Sequence, residues 1–194
     1  MKTLKLAIAA CVSAFTLAGT ASAQGLFNFE KADGFIYTSG YVGAIFPDDI
    51  GAVELDTDIT YGGALGARLP FRSLGFIHTR IELELDYAEV DAEIEGVAGS
   101  SPLENLFILG NSYGDFIWRE NQRVVPYFGG GLGVAITDAP GAPSSTNFTT
   151  HNAIGLTVPV NQLDLYAEGR YFKIYADGPN LDGITLTAGL RYKF

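Results

Sequence analysis

The chain has 194 residues, 12 basic and 22 acidic side chains, a formal net charge of −10 and a hydrophobic content of 47%. That length suits one domain, and the acidic balance argues against nucleic-acid binding, which requires neutralisation of phosphates. The one cysteine, Cys11, leaves no partner for an intrachain disulfide.

The N-terminus reads Met1-Lys2-Thr3-Leu4-Lys5, then an almost wholly apolar run from Leu6 to Leu17, then the small-x-small site Ala21-Ser22-Ala23. Charged, apolar and cleavage regions in that order predict a signal peptide over residues 1–23 and a mature chain over 24–194. A lipidation box at Ile8-Ala9-Ala10-Cys11 fits less well, because most of the apolar run lies after Cys11. Cleavage would remove Cys11 and leave 10 basic residues against 22 acidic ones, a net charge of −12. No later apolar run reaches the roughly 18 residues of a transmembrane helix.

Past residue 33 the apolar residues come in short alternating pieces. A first strand is predicted at about 34–46 and a second at about 57–69, where Tyr61, Leu65 and Leu69 alternate with Gly62, Ala64 and Arg68. The third carries the strongest pattern: Arg80, Glu82, Glu84 and Asp86 interleave with Ile81, Leu83, Leu85 and Tyr87. Such period-two alternation marks a strand with one apolar and one polar face. A fourth strand is predicted at about 105–118 and a fifth at 124–136. In the fifth, Phe128, Leu132, Val134 and Ile136 share one face and Tyr127, Gly129, Gly131 and Gly133 the other. The sixth spans about 152–160 and the seventh 163–175, where Asp164, Glu168 and Arg170 oppose Leu163, Leu165 and Ala167. The eighth, 185–194, sets Leu186, Leu190, Tyr192 and Phe194 against Arg191 and Lys193 and ends on an aromatic residue.

Eight strands form an even set, and their connections alternate in length. Short turns are predicted at 70–75, 119–123 and 161–162, and longer loops at 47–56, 89–104, 137–151 and 176–183. The long loops, taken with Asp58, hold 13 acidic residues and no Lys or Arg, while Lys31, Arg72, Arg119, Arg123 and Lys193 mark the opposite rim. Long outer loops, short inner turns and a closing aromatic strand are the pattern of a bacterial outer-membrane barrel. Period two alone does not say which face points inward. In a soluble lipid-binding barrel the apolar face would line the interior. In a membrane barrel it meets lipid, and the polar set fills the lumen.

On the membrane reading Arg68, Arg80, Glu82, Glu84, Asp86, Asp164, Glu168, Arg170 and Arg191 meet inside as a network of ion pairs, because buried charges must be paired. Glycines on the inward face of the fifth strand leave room for long side chains opposite. Aromatics near strand ends, among them Tyr113, Phe116, Trp118, Tyr127, Phe128, Tyr171, Phe172, Tyr175, Tyr192 and Phe194, are expected to form interface girdles.

Catalytic chemistry has thin support. His78 and His151 are the only histidines, and a Ser/His pair of His151 with Ser144 or Ser145 is the one arrangement worth testing. Glu89, Asp91, Glu93 and Glu95 alternate and could share one face, an oxygen-rich surface suited to Ca²⁺ or Mg²⁺, but no EF-hand spacing is present. Gly129 to Gly133 lies inside a strand pattern with no helix after it, so it is no phosphate loop. No catalytic, metal or cofactor site is assigned.

With the alternating strands, Val125-Pro126-Tyr127-Phe128-Gly129-Gly130-Gly131-Leu132-Gly133 and the terminal Leu190-Arg191-Tyr192-Lys193-Phe194, the chain resembles the small outer-membrane barrel family of OmpA-like and opacity-protein-like surface proteins. The resemblance spans the mature chain and implies an eight-stranded antiparallel barrel in the outer membrane of a Gram-negative cell. It implies insertion by the barrel assembly machinery, with Tyr192 and Phe194 as the recognition signal and Trp118 as an interface aromatic. Expected surroundings are outer-membrane lipids and lipopolysaccharide, with structural, surface-interaction or narrow porin-like roles. The peptidoglycan-binding domain of full-length OmpA-type proteins is not expected in this sequence. Two alternatives remain at this point: a solute or ion channel gated by the lumen charges, and a soluble periplasmic lipid-binding barrel.

Overall fold

A computed structural model describes residues 34–48, 53–94, 100–119, 121–141, 143–176 and 178–194. The assigned signal peptide, the leader 24–33 with Lys31, and Asp49, Glu95 and Asp177 lie outside these residues. The side chains of Glu54, Arg72 and Glu93 also fall outside the description.

The chain forms β1 (Phe35–Pro47), β2 (Val53–Leu55), β3 (Asp58–Ser73), β4 (Ile77–Ile94), β5 (Ser100–Phe116), β6 (Val125–Asp138), β7 (Ser145–Val160), β8 (Leu163–Tyr175) and β9 (Leu181–Lys193). Eight long strands pair antiparallel with their neighbours, and β9 pairs with β1 from Tyr37↔Lys193 to Pro47↔Gly183. The sheet closes on itself, so each of the eight long strands has a partner on both sides. That closure lets a β-structure cross lipid without unpaired backbone groups. The three-residue β2 is an addition at the loop end, paired with β4 from Val53↔Ile94 to Leu55↔Ala92.

The strands outlast the expected boundaries. The β4–β5 ladder extends to Glu93↔Ser100, and the β6–β7 ladder to Thr137↔Ser145, through most of the segments expected to be loops 89–104 and 137–151. Loss of the apolar face there marks departure from lipid, not the end of hydrogen bonding: polar residues continue the ladder in water. At the other end, β3 passes straight through Pro70, where a turn was expected. Pro70 has no N–H to give, and the register shifts between Arg68 and Arg72. The turn itself follows at Leu74 and Gly75, both in the left-handed region at φ 53° and 79°. Asn161, at φ 57°, makes the tight turn between β7 and β8 as expected.

The alternation resolves with the apolar face outward. Ile59, Leu83, Phe128, Leu132, Ile154 and Leu186 are all more than half exposed. Arg80, Glu84 and Arg170 are 0%, 1% and 6% exposed. A soluble lipid-binding barrel needs the reverse arrangement, so that alternative does not fit the structure. Phe76 stacks on Phe116 and Phe116 on Phe128 near the turn end, at 6.3 and 5.5 Å between ring centroids. Phe148 and Tyr175 pair near the loop end at 5.7 Å. Three aromatics assigned to the girdles point elsewhere: Tyr113, Tyr127 and Phe172 are buried in the lumen. They belong to the inward parity of their strands, which proximity to a strand end does not reveal.

An amide side chain interrupts the lipid-facing belt. Asn152 is exposed midway along β7, between Gly130 and Tyr171 on the neighbouring strands. An amide with no partner in lipid carries a desolvation cost. Asn152→Leu is expected to raise the unfolding free energy in bilayers by about 1–2 kcal/mol. Reduced stability of that variant would show that the amide has a partner in the membrane.

Candidate functional site

The lumen is built in layers, each from inward residues whose strand parity fixes their direction. The lowest well-packed layer is centred on Arg80. Its Nε donates to both oxygens of Asp115 at 2.8 and 3.0 Å, and its Nη1 to Tyr37 at 3.1 Å and to Glu82. The Tyr37 hydroxyl also donates to Glu82. The guanidinium lies over the rings of Tyr113 and Tyr127, at 4.7 and 5.0 Å. Arg68 adds a second cation to Asp115, Nη2 to Oδ2 at 3.0 Å. Cross-strand register places Arg68 directly opposite Arg80, so an acid between them is electrostatically required.

The next layer is centred on Glu84. It accepts from Arg170 at 2.7 and 3.3 Å, from Tyr41 at 2.5 Å and from Asn111 at 2.5 Å. Arg170 turns its remaining fork to Glu168, with Nε at 3.1 Å and Nη2 at 2.7 Å. Asp86 stands above this pair and takes a hydrogen bond from Thr60 at 2.5 Å. Arg80 and Arg170 each donate to two carboxylates, the arrangement that makes burial of charge tolerable.

The outer part of the lumen departs from the expected charged filling. Ile45, Val90, Phe107, Leu109, Phe172 and Ile174 form an apolar cluster there with Ala88 and Ala135. Phe107 and Phe172 meet edge to face at 6.3 Å. Both faces of these stretches are apolar in sequence, as in Ile45-Phe46 and Ile108-Leu109, so alternation offers no contrast. The lumen therefore has a charged lower part and a greasy cap beneath the loops.

All nine predicted lumen charges lie on inward faces, but they form two groups. Arg68, Arg80, Glu82, Asp164 and Arg191 belong to the lower group; Glu84, Glu168 and Arg170 form the upper one, with Asp86 beyond it. Asp164 faces Arg191 across the β8–β9 ladder, whereas Glu168 faces Thr187 and pairs with Arg170. Sequence reasoning missed Asp115, Tyr37, Tyr41 and Asn111. Lys193, read as a rim cation, reaches inward to Asp164 at 2.8 Å.

Interior glycines supply the space for this packing. Tyr37, Tyr41, Tyr127 and Tyr166 each stand directly across the ladder from a glycine: Gly66, Gly62, Gly155 and Gly189 respectively. A Cβ on any of these four would lie 2.3–2.7 Å from the tyrosine opposite. Each ring thus covers a bare stretch of backbone, and two of the phenols, Tyr37 and Tyr41, reach Glu82 and Glu84.

The interface residues sit at the turn end. Tyr192 and Phe194 are partly exposed and pack edge to face at 5.1 Å. Phe194 follows the last strand residue, and its N–H donates to Ile36 at 2.9 Å. Trp118 is 56% exposed just beyond β5. The proposed Ser/His pair does not assemble. His151 is buried in the lumen with neither ring nitrogen hydrogen-bonded, while Ser144 is exposed and donates to Asp138. Glu89 and Asp91 do lie on one continuous strand, but no group of three or more metal-ligating side chains occurs among the described residues.

No protein-family model matches the chain, and no curated protein matches it. Solved structures do. Neisserial surface protein A aligns with a TM-score of 0.56 at 18% identity, over 82% of this chain and 97% of that one. The outer-membrane protein OprG from Pseudomonas aeruginosa aligns at 0.51 and 16% identity, over 84% and 97%. The fold is that of the small outer-membrane barrels: eight antiparallel strands, closed, with lipid-facing apolar residues.

Proposed function

We propose that this chain is an outer-membrane protein, exported by a cleaved signal peptide over residues 1–23, whose barrel is a plugged anchor and whose loops carry its external role. That role is envelope integrity or surface interaction. One observation carries the plug: the Arg80 and Glu84 layers fill the lumen with forked ion pairs and lie beneath an apolar cap. A continuous water path would have to break several charge-assisted hydrogen bonds and wet the cap. The acidic loop end favours cationic partners, including the divalent ions that bridge lipopolysaccharide. Tyr192 and Phe194, at the end of the closing strand, suit recognition by the barrel assembly machinery.

Planar-bilayer recording tests the plug. The wild-type barrel is expected to show no salt-dependent conductance steps. A narrow ion path is the second reading, favoured by the loose seating of Arg191, whose ion pairs to Glu82 and Asp164 are both 3.8 Å long. Steps in the wild type whose size changes in Glu82→Ala would establish that path and reject the plug.

A further inference from the structure

The turn end of the lumen opens into a cavity of about 240 Å³. With water occupying roughly 30 Å³ per molecule, it has room for a tetrahedral oxyanion and several waters. Among the described residues four cations line it, Arg68, Arg119, Arg191 and Lys193, against two acids, Asp115 and Asp164. The acids are already engaged. Asp115 takes both Arg80 and Arg68, and Asp164 takes Lys193 at 2.8 Å. The cavity wall therefore carries more positive charge than it can neutralise.

Arg191 is the clearest sign of a missing partner. It is 4% exposed, yet makes no hydrogen bond among the described residues, and its Nε is unpartnered. Its nearest carboxylates are 3.8 Å away, and its guanidinium is held over the rings of Tyr37 and Tyr166 at 4.9 and 5.0 Å. The other two most deeply buried arginines, Arg80 and Arg170, are forked onto carboxylates at 2.7–2.8 Å. Two further donors at the cavity lack partners: the Nε of Arg68 and the hydroxyl of Thr157, the latter on a residue 5% exposed. A planar fork, a second guanidinium and a hydroxyl around one space match the oxygens of a phosphate.

Access is one-sided. Arg119 and Asn121 at the cavity mouth are exposed, while the Glu84 layer and the apolar cap close the route to the acidic loop end. We propose that this vestibule is a phosphate-binding site that loads from the turn side of the barrel, with Arg191 as its principal ligand and Arg68 and Thr157 completing it. The site does not depend on whether the barrel is plugged or conducting; only its assignment to the periplasmic face rests on the orientation above.

Phosphate could be free or carried by an inner-leaflet lipid headgroup. Side-chain NMR of the arginine Nε–H groups separates the two. In one arm the full barrel in maltoside micelles is titrated with inorganic phosphate at constant ionic strength, with chloride as control. In the other it is placed in phosphatidylglycerol nanodiscs without phosphate in the buffer. A saturable shift of the Arg191 signal in micelles identifies free phosphate; a shift confined to nanodiscs identifies the headgroup. Arg191→Lys should weaken binding about tenfold or more, because the ammonium cannot fork. Thr157→Val, which keeps volume and charge, should weaken it severalfold and guards against a folding artefact. Absence of a saturable shift in both arms overturns the site. So does an equal response to chloride, or affinity unchanged in both variants.

Discussion

Arg80→Met is expected to lower the unfolding free energy of the barrel in lipid by about 3–5 kcal/mol, the usual cost of leaving buried charges without their partner. Arg80 is fully buried and serves Asp115, Glu82, Tyr37 and two tyrosine faces at once. Methionine fills much of the volume but donates nothing. Asp115 would keep Arg68, at 3.0 Å, and Glu82 would keep Tyr37 and the distant Arg191. Adding Asp115→Asn removes one stranded carboxylate, so the double variant should recover part of the loss, with a coupling of about 1–3 kcal/mol. Arg80→Lys should fall between wild type and Met, since one ammonium cannot span both acids. Reversible urea unfolding of vesicle-embedded protein measures all of these. A loss below about 1 kcal/mol for Arg80→Met, the level of an ordinary substitution, would mean that water enters the lumen and screens the layer.

That outcome also bears on function, because the same water would connect the vestibule to the upper layer. A plugged barrel requires a dry, strongly coupled Arg80 layer. A conducting one requires a layer that rearranges at low cost. Stability and conductance of one set of variants therefore report on the same property from two directions.

The strand count, closure and inward charges follow from alternation because Ile81–Tyr87 and Leu163–Arg170 contrast sharply from one residue to the next. Asp115 escaped because its strand does not. In Asn111-Ser112-Tyr113-Gly114-Asp115 the outward residues are Ser112 and Gly114, so neither face reads as apolar. Its role is visible only through register, which sets it opposite His78 and one step from Arg80. The apolar cap escaped for the opposite reason, since both faces of its strands are greasy. The loose seating of Arg191, 3.8 Å from its carboxylates, is a matter of distances between strands, and no periodicity reports those. The strand ends beyond the membrane were misplaced because hydropathy tracks the lipid boundary, whereas a ladder of Thr, Asn and Ser pairs equally well in water.

The tyrosine–glycine pairs make the second large effect, and they test whether the lumen is as tightly assembled as its hydrogen bonds imply. A Cβ at Gly155 would stand 2.3 Å from the Tyr127 ring and 2.6 Å from the backbone oxygen of Ala167. The ring has little freedom to withdraw. Tyr113 packs edge to face on it at 5.7 Å, and Arg80 lies over it at 5.0 Å. Overpacking of this kind costs about 1–3 kcal/mol, so Gly155→Ala should be destabilised by that much and Gly155→Val should fold poorly. Gly110 is the control: its added Cβ meets only a carbonyl oxygen at 3.9 Å, and Gly110→Ala should change stability by less than about 0.5 kcal/mol. Tyr127→Ala in the Gly155→Val background should restore folding in part, because it removes the ring that the valine strikes. Heat-modifiable gel mobility after refolding into vesicles reads the folded fraction. Wild-type folding of Gly155→Val would show that the Tyr127 ring has another seat, and that Arg80 can be supported without it.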